Sequence, residues 1–167
     1  KYFNFDHVVG MDLNPNQIDF CNRVHSNIQF DQGSAMELPY DQNSFDIITN
    51  VESAGYYVDY ESFLRGLNKI LKVNGLFLCA DTGDQNRVDY IKEIYPHYGF
   101  EVRKHIDITK NVSVACAIEK YRMMDYSEFL ADIMMNDEER YFPDRWVHHK
   151  NPRFKKDNYH IFVIEKK

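Results

Sequence analysis

The sequence has 167 residues, of which 44% are hydrophobic, and this is enough for one domain with a buried core. Its formal net charge of -6 argues against a nucleic-acid partner, because a phosphate backbone is bound by a clustered basic face. No apolar stretch is long enough to span a membrane. The three cysteines, Cys21, Cys79 and Cys116, have neither disulfide nor metal-ligand spacing, so we expect reduced thiols and a cytoplasmic location.

Strands and helices are predicted to alternate along the first part of the chain. Residues 8–13 form a short apolar run that ends in an acid, and residues 27–32 predict a second strand. Residues 45–51 are apolar enough to predict a strand covered on both faces. Asn14 followed by Pro15 is a strong helix start. The apolar residues of that helix are expected to face the sheet; they are Ile18, Cys21 and Val24.

The second part of the chain continues the alternation and predicts an α/β fold with a mainly parallel sheet. The closing strand follows helices without a clean crossover, so we expect it to be antiparallel. The predicted elements are a helix over 60–71 stopped by Asn74-Gly75, a strand over 76–81, a helix over 88–98 ended near Gly99, a strand over 100–108, an amphipathic helical region over 112–135 and a strand over 158–167.

Residues 33–53 carry the most specific motif of the chain, GSAMELPYDQNSFDIITNVES. A polar loop followed by a strand with polar residues at its carboxyl end is where an open α/β sheet binds its ligand. The Leu-Pro-x-x-x-x-Ser-Phe-Asp core resembles class I S-adenosylmethionine (SAM)-dependent methyltransferases, between the adenine-contacting loop and the methyl-transfer site. The resemblance implies a Rossmann-like class I methyltransferase sheet, mostly parallel with an antiparallel last strand, and S-adenosylmethionine as cofactor.

The cofactor residues are expected where strands end. Asp12 ends the first strand, where a carboxylate can accept both ribose hydroxyls of SAM or of NAD, although an acid there also suits a helix start. At Ser34 the family usually has an aspartate that reads adenine, and a neutral hydroxyl is a weaker acceptor. Met36 could cover the purine face or fill the core. The implied cofactor contacts are Asp12, Leu13, Ser34, Ala35, Met36, Asn50 and Val51.

A second resemblance concerns the acceptor side of the site. Asn-Val-Glu-Ser at 50–53, the aromatic residues after it and Phe63-Leu64 resemble small-molecule O-methyltransferases of the phthiotriolone dimycocerosate type, as do residues 107–112 and the closing strand. Those relatives commonly carry a histidine near Gly55, which is missing here. Glu52 is the candidate catalytic residue, because a carboxylate in a dry pocket can take the proton of an attacking hydroxyl. The candidate substrate residues are Tyr56, Tyr57 and Asn111.

The domain organisation is predicted as one methyltransferase domain over residues 1–167 with a helical cap inserted at about 111–153. The cap is rich in methionine and tyrosine and would close over the acceptor; Met123, Met124, Met134 and Met135 lie in it. His148-His149 lacks metal-ligand spacing, so a surface pair and no metal are expected. A basic end is expected to be solvated; it comprises Lys150, Arg153, Lys155, Lys156, Lys166 and Lys167.

The glycine-rich loop that follows the first strand in class I methyltransferases is missing from this sequence. Gly10 lies inside a predicted strand, and the seven glycines are scattered. By resemblance the chain starts at the second strand of the family's sheet, and the absent strand would lie between residues 8–13 and 45–51. We therefore expect a fragment of a longer polypeptide that holds part of the cofactor site.

The expected function is transfer of a methyl group from S-adenosylmethionine to a small, apolar acceptor, at oxygen by family likeness. Three alternatives stay open: a C- or N-methyltransferase of a small molecule, a non-catalytic Rossmann-like binding module, and an NAD-dependent oxidoreductase. The acceptor's identity and the oligomeric state are not specified by the sequence.

Overall fold

The computed structural model describes residues 5–123 and 158–167, which form an α/β arrangement with two hydrogen-bonded sheets. The elements in chain order are β1 (Val9–Asp12), α1 (Pro15–Val24), β2 (Gln29–Gln32), β3 (Phe45–Val51), a 3-10 turn (Ala54–Tyr56), α2 (Tyr60–Ile70), β4 (Leu71–Gly83), α3 (Gln85–His97), β5 (Phe100–Asp107), α4 (Thr109–Met123) and β6 (Asn158–Lys166).

The larger sheet has the strand order β3-β4-β6-β5. β3 and β4 are parallel, and β6 is antiparallel to both of its neighbours, β4 and β5. The smaller sheet is the parallel pair of β1 and β2. The prediction of a mainly parallel α/β sheet whose last strand is antiparallel is therefore confirmed.

The core lies where α2 and α3 pack on the larger sheet. Among its members, Leu64, Leu67 and Phe77 are fully buried. The hydroxyls of Tyr60 and Tyr95 are 2.7 Å apart, so each buried phenol has a hydrogen-bond partner. Burial raises the pKa of Tyr60 to about 12. The hydrogen bond to Tyr95 and the positive charge of Arg87 offset part of this increase. Both tyrosines therefore serve as neutral core residues.

The helix α1 begins as the sequence predicts. Asn14 caps it by accepting a hydrogen bond from the Asn16 amide at 2.9 Å, and Pro15 occupies the first turn. The predicted burial of its apolar residues is only partly right. Ile18 is buried, whereas Val24 in the last turn is 54% exposed, because the main contacts of α1 are with the short strands β1 and β2.

The prediction that β3 is covered on both faces is wrong for the described residues. Ile47 is 40% exposed and Val51 is 67% exposed. Within residues 5–123 and 158–167, β3 pairs only with β4 and β1 pairs only with β2, so each is an edge strand. One side of β3 therefore has no neighbour from the described chain.

Two further predictions about the larger sheet need correction. The helix α2 ends at Ile70, before Asn74-Gly75, and these two residues form an irregularity within β4 where Asn74 has φ 62°. Lys166, expected on a solvated face, is only 7% exposed. Its ammonium donates to Asn43 Oδ1 at 3.0 Å and to the carbonyls of Asn68 and Leu71 at 2.6 and 2.8 Å, and these three acceptors compensate its burial.

The predicted cap region is described only at its start. The apolar residues of α4 are spread around the helix, so the expected amphipathic pattern is not found, and Val114 and Ile118 are each about half exposed. The remainder of the proposed cap lies outside the described residues, with Met124, Met134, Met135, His148, His149, Lys150 and Arg153. Lys155 and Lys156 of the predicted basic end lie outside them as well.

The cysteines of the described chain are free thiols, as expected. Cys79 is buried in the core, and burial raises the pKa of its thiol to about 12, so it packs as a small apolar residue.

Candidate functional site

The sheet brings the carboxyl ends of its strands to one edge. In the pairing register Val51 lies beside Ala80, Asp81 beside His160, and His160 beside Asp107. The ends of β3, β4 and β5 therefore meet the start of β6. This is the edge at which an open α/β sheet binds ligands.

The end of β1 and the turn after β2 are joined directly. The Gly33 amide donates to the Asp12 carbonyl at 3.0 Å, and Gln32 Nε2 donates to the Leu13 carbonyl at 3.4 Å. Asp12 also accepts the Asn14 amide on Oδ1 at 2.8 Å, while its side chain is exposed. The structure thus brings the predicted residues Asp12 and Leu13 next to the turn that carries Ser34.

The turn at residues 34–37 is fixed from within. Ser34 Oγ accepts the Met36 amide at 3.2 Å, and the Glu37 amide donates to the Ser34 carbonyl at 3.0 Å. The serine that replaces the family's aspartate therefore stabilises its own turn and keeps its hydroxyl hydrogen available as a donor. Ala35 packs against the core.

Met36 connects this turn to the loop after β3. Its Sδ accepts a hydrogen bond from the Asp59 amide at 3.4 Å, and its side chain is half-buried. The two segments with the predicted cofactor residues are therefore held together by this contact.

At the end of β3, Asn50 takes part in a small polar network. Its Nδ2 donates to the Tyr57 hydroxyl at 2.7 Å, and that hydroxyl lies 3.0 Å from Ser53 Oγ. The Tyr57 ring packs edge-on against Phe63, with ring centroids 5.0 Å apart. Asn50 Oδ1 is buried and has no hydrogen-bond partner among the described residues. A buried acceptor without a donor is costly, and such an atom at a ligand edge indicates a donor that the bound ligand supplies.

Glu52 directly follows β3 in a conformation that is unusual for its residue type. Its φ is 51°, in the left-handed region, and its amide donates to the Ala80 carbonyl at 2.8 Å. Backbone strain of this kind is concentrated at functional sites. The side chain is exposed, so the described residues do not enclose it in a dry pocket.

Tyr159 of β6 lies near Glu52. Burial, together with the charge of Glu52 and a hydrogen bond to it, raises the pKa of Tyr159. Tyr159 therefore stays protonated and can donate to the Glu52 carboxylate. Its own amide donates to Thr109 Oγ1 at 3.0 Å, which connects the start of α4 to this edge.

The remaining predicted substrate residues surround the same edge. Tyr56 is 78% exposed on the 3-10 turn, and Asn111 is exposed in the first turn of α4. Val51 ends β3 beside Glu52.

Sequence reasoning missed Asp81 and Tyr159. Asp81 had a readable signal, because it follows an apolar strand and precedes a helix start, as Asp12 does. Tyr159 belongs to the closing strand that carries the family resemblance, but its proximity to Glu52 comes from the antiparallel insertion of β6 and has no signal in the sequence.

Two negative findings apply to the described part of the chain. No group of three or more histidine, cysteine, aspartate or glutamate side chains there is arranged to hold a metal ion. None of its helices is both long and apolar enough to cross a bilayer.

An α/β sheet with an antiparallel closing strand and a polar ligand edge defines the fold of the class I methyltransferases. Residues 1–79 match the family described as Methyltransferase domain. Together with the relatives below, this match confirms the predicted resemblance to SAM-dependent methyltransferases over this part of the chain.

Two curated relatives illustrate the sequence similarity. The chain is 39% identical over 74 residues to the fatty-acid O-methyltransferase of Mycolicibacterium smegmatis, a match that covers 43% of this chain and 27% of the relative. It is 35% identical over 81 residues to the phthiotriol/phenolphthiotriol dimycocerosates methyltransferase of Mycobacterium leprae. This match covers 47% of this chain and 30% of the relative. The matched segments thus span less than a third of either relative.

Solved structures extend the similarity of fold to nearly the whole chain. The phosphoethanolamine N-methyltransferase 2 of Haemonchus contortus, in complex with S-adenosyl-L-methionine, matches with a TM-score of 0.70 at 18% identity. That match covers 96% of this chain and 43% of the solved one. At this identity the similarity describes the fold.

Proposed function

We propose that the protein transfers a methyl group from S-adenosylmethionine to an oxygen atom of a small, apolar acceptor. The observation that carries the proposal is the buried Asn50 Oδ1, an acceptor without a donor among the described residues, at the carboxyl edge of the sheet. The methionine end of the cofactor has an ammonium group, which is the donor that such an oxygen requires.

The other residues at this edge fit the remaining parts of the cofactor. Asp12 presents an exposed carboxylate that suits the ribose hydroxyls. Ser34, Ala35 and Met36 form the adjoining turn, where the serine hydroxyl can donate to a purine nitrogen and the methionine can cover the ring. Leu13 and Val51 would contribute main-chain contacts beside them.

The bound cofactor supplies an electrophilic methyl group on a sulfonium. The chain's residues have to orient the acceptor and handle its proton. In-line approach supplies much of the rate in such reactions. For a hydroxyl acceptor, Glu52 would accept the proton as the carbon–oxygen bond forms and the methyl carbon–sulfur bond breaks, which leaves S-adenosylhomocysteine. Tyr159 would donate to Glu52 and hold it in place. For a carboxylic acid, already ionised at neutral pH, Glu52 would have no proton to accept.

Support for an oxygen acceptor comes from the names of the relatives, one of which is a fatty-acid O-methyltransferase. Tyr56, Tyr57 and Asn111 are proposed as acceptor contacts because they surround Glu52's edge of the sheet. The helical cap at about 111–153 stays a proposal for the element that covers the acceptor.

Calorimetry on the intact protein tests the cofactor assignment. We expect S-adenosylhomocysteine to bind and NADH not to bind, and Asp12→Asn to weaken S-adenosylhomocysteine about 10-fold through loss of charge-assisted hydrogen bonds. Asp19→Asn is the matched control, because Asp19 is an exposed carboxylate on α1. Binding of NADH alone would identify an oxidoreductase, and binding of neither ligand would identify a module without cofactor.

The acceptor assignment requires a separate experiment. Methyl-labelled S-adenosylmethionine is incubated with oleic acid, with a long-chain alcohol and with a long-chain amine. Label in the ester or ether supports an oxygen acceptor, whereas label only in the amine contradicts it.

A further inference from the structure

Asp81 is a buried carboxylate at the carboxyl end of β4 that has no part in the chemistry proposed above. It is 9% exposed and shares its side of the strand with the buried Cys79. Placing a carboxylate there is costly unless its oxygens accept hydrogen bonds. The partners that it has in the described structure therefore indicate what it does.

Both described partners of the Asp81 side chain are backbone amides. Oδ1 accepts the adjacent Thr82 amide at 2.9 Å, and Oδ2 accepts the Gly55 amide at 3.0 Å, from 26 residues earlier in the chain. The second bond ties the 3-10 turn after β3 to the end of β4. Hydrogen bonds from amides to a carboxylate are stronger than bonds between neutral groups.

The cross-strand neighbour His160 does not form a catalytic pair with Asp81 in this structure. His160 is 5% exposed, its Nε2 lies 3.2 Å from the Gly83 carbonyl, and its Nδ1 lies 3.0 Å from His105 Nε2. Since a carbonyl only accepts, His160 carries its proton on Nε2, and His105 donates to Nδ1. Both ring nitrogens are therefore engaged elsewhere, which leaves the turn as the long-range partner of Asp81.

The turn is attached on either side of its exposed part. Ala54 is 2% exposed, Gly55 is bound to Asp81, and Tyr57 is held by its hydroxyl to Asn50. Between the last two attachments Tyr56 projects outward with 78% of its surface exposed. The position of Tyr56 thus depends on the Gly55–Asp81 bond on one side and on the Tyr57–Asn50 bond on the other.

We propose that Asp81 is a positioning residue, which fixes the Gly55 amide so that Tyr56 is presented to the methyl acceptor. The role of Asp81 in binding a methyl acceptor rests on the proposed function. The attachment of Gly55 to Asp81 rests on the geometry alone. Loss of Asp81 releases the turn at Gly55, while the bond between Tyr57 and Asn50, and with it the cofactor contact of Asn50, stays in place. Asp81 therefore governs acceptor binding and leaves cofactor affinity unchanged.

Hydrogen exchange in the intact protein without ligand tests the attachment. We expect Asp81→Ala to speed exchange of the peptide covering residues 53–58 by about 10-fold or more, since a protected amide opens locally. Asp81→Asn keeps one acceptor oxygen and is expected to restore part of the protection. Gly55→Ala is the matched control, because it keeps the amide and its Cβ would lie 3.8 Å from Asp81 Oδ2, an ordinary contact. Unchanged exchange in Asp81→Ala, or equal acceleration throughout β4 and α3, overturns the proposal.

Binding and turnover give the readout that a purely structural role would not produce. With oleic acid as the probe acceptor, we expect Asp81→Ala to raise KM about 10-fold while the Kd of S-adenosylhomocysteine changes less than about 2-fold. Equal weakening of both overturns the role on the acceptor side. If wild-type protein neither binds S-adenosylhomocysteine nor methylates the probe, the proposed function fails, and the exchange result alone still decides whether Asp81 holds the turn.

Discussion

Asn50 donates a hydrogen bond from Nδ2 to the Tyr57 hydroxyl at 2.7 Å, and this bond leaves its Oδ1 buried without a donor in the described chain. The amide thus holds the loop after β3 with one atom and offers the other to a ligand.

The first prediction concerns this oxygen. Asn50→Ala is expected to weaken S-adenosylhomocysteine binding by about 10-fold, or about 1.4 kcal/mol, because the ligand's donor loses its acceptor. Asn50→Asp keeps an acceptor oxygen and should retain most of the affinity, since the Tyr57 hydroxyl can then donate to it. Calorimetry measures both, with Asn22→Ala on the exposed face of α1 as control. Wild-type affinity in Asn50→Ala would contradict the assignment.

The second prediction concerns the left-handed backbone of Glu52. Replacing a side chain at φ 51° by glycine relieves steric strain of about 1 kcal/mol. Glu52→Gly is therefore expected to exceed Glu52→Ala in free energy of unfolding by about that amount, as measured with urea.

Both Glu52 variants lack the carboxylate, so both should lose turnover with a hydroxyl acceptor about 100-fold or more. Glu52→Gln, which keeps the size of the side chain, separates charge from shape. Full activity in Glu52→Gln with an alcohol acceptor would eliminate Glu52 as the proton acceptor.

The third prediction uses two glycines with different surroundings. At Gly75 an added Cβ would lie 2.8 Å from the Lys72 carbonyl oxygen and 3.1 Å from that of Asp46. Because backbone oxygens cannot move aside, Gly75→Ala is expected to destabilise by about 1–3 kcal/mol. At Gly66 in α2 the nearest atom would be Leu38 Cδ1 at 3.4 Å, so Gly66→Ala should be neutral or stabilising. Urea unfolding compares the two, and equal stability of the variants would refute the difference.

The fourth prediction concerns pH. Burial, then the positive charge of Lys92 and the neighbouring His160, lower the pKa of His105, against a smaller opposite effect of Asp107. The unfolded chain therefore binds a proton more readily near pH 6.5 than the folded protein does. Stability contributed by neutral His105 is present above about pH 6.5 and is lost as the pH falls through the lower folded pKa.

His105→Gln should flatten this loss, because glutamine does not titrate. The urea midpoint at pH 5, 6 and 7 measures the effect, and His97→Gln on the exposed end of α3 is the control. An unaltered pH dependence in His105→Gln would show that other groups cause the acid sensitivity.

The sequence was most informative where structure is local. Asn14-Pro15 located the start of α1, and Gly99, which has φ 80°, marked the end of α3. The motif at residues 33–53 placed the site at the end of β3, because its loop, strand and polar end follow each other directly along the chain.

What the sequence could not specify depends on distant partners. Lys166 is buried because carbonyls of Asn68 and Leu71 lie around its ammonium, and nothing near residue 166 indicates this. Glu52 was identified as a candidate, but its proximity to Tyr159 depends on where β6 enters the sheet.

The position of β6 has a consequence for how the protein is made. Within the described chain β5 has no strand partner other than β6, which begins at Asn158, well beyond the end of β5 at Asp107. A ribosome must therefore deliver the intervening segment and β6 before β5 can join the sheet. Until then its unpaired amides and carbonyls are open to other chains, so we expect folding in the cell to depend on chaperones that shield this edge.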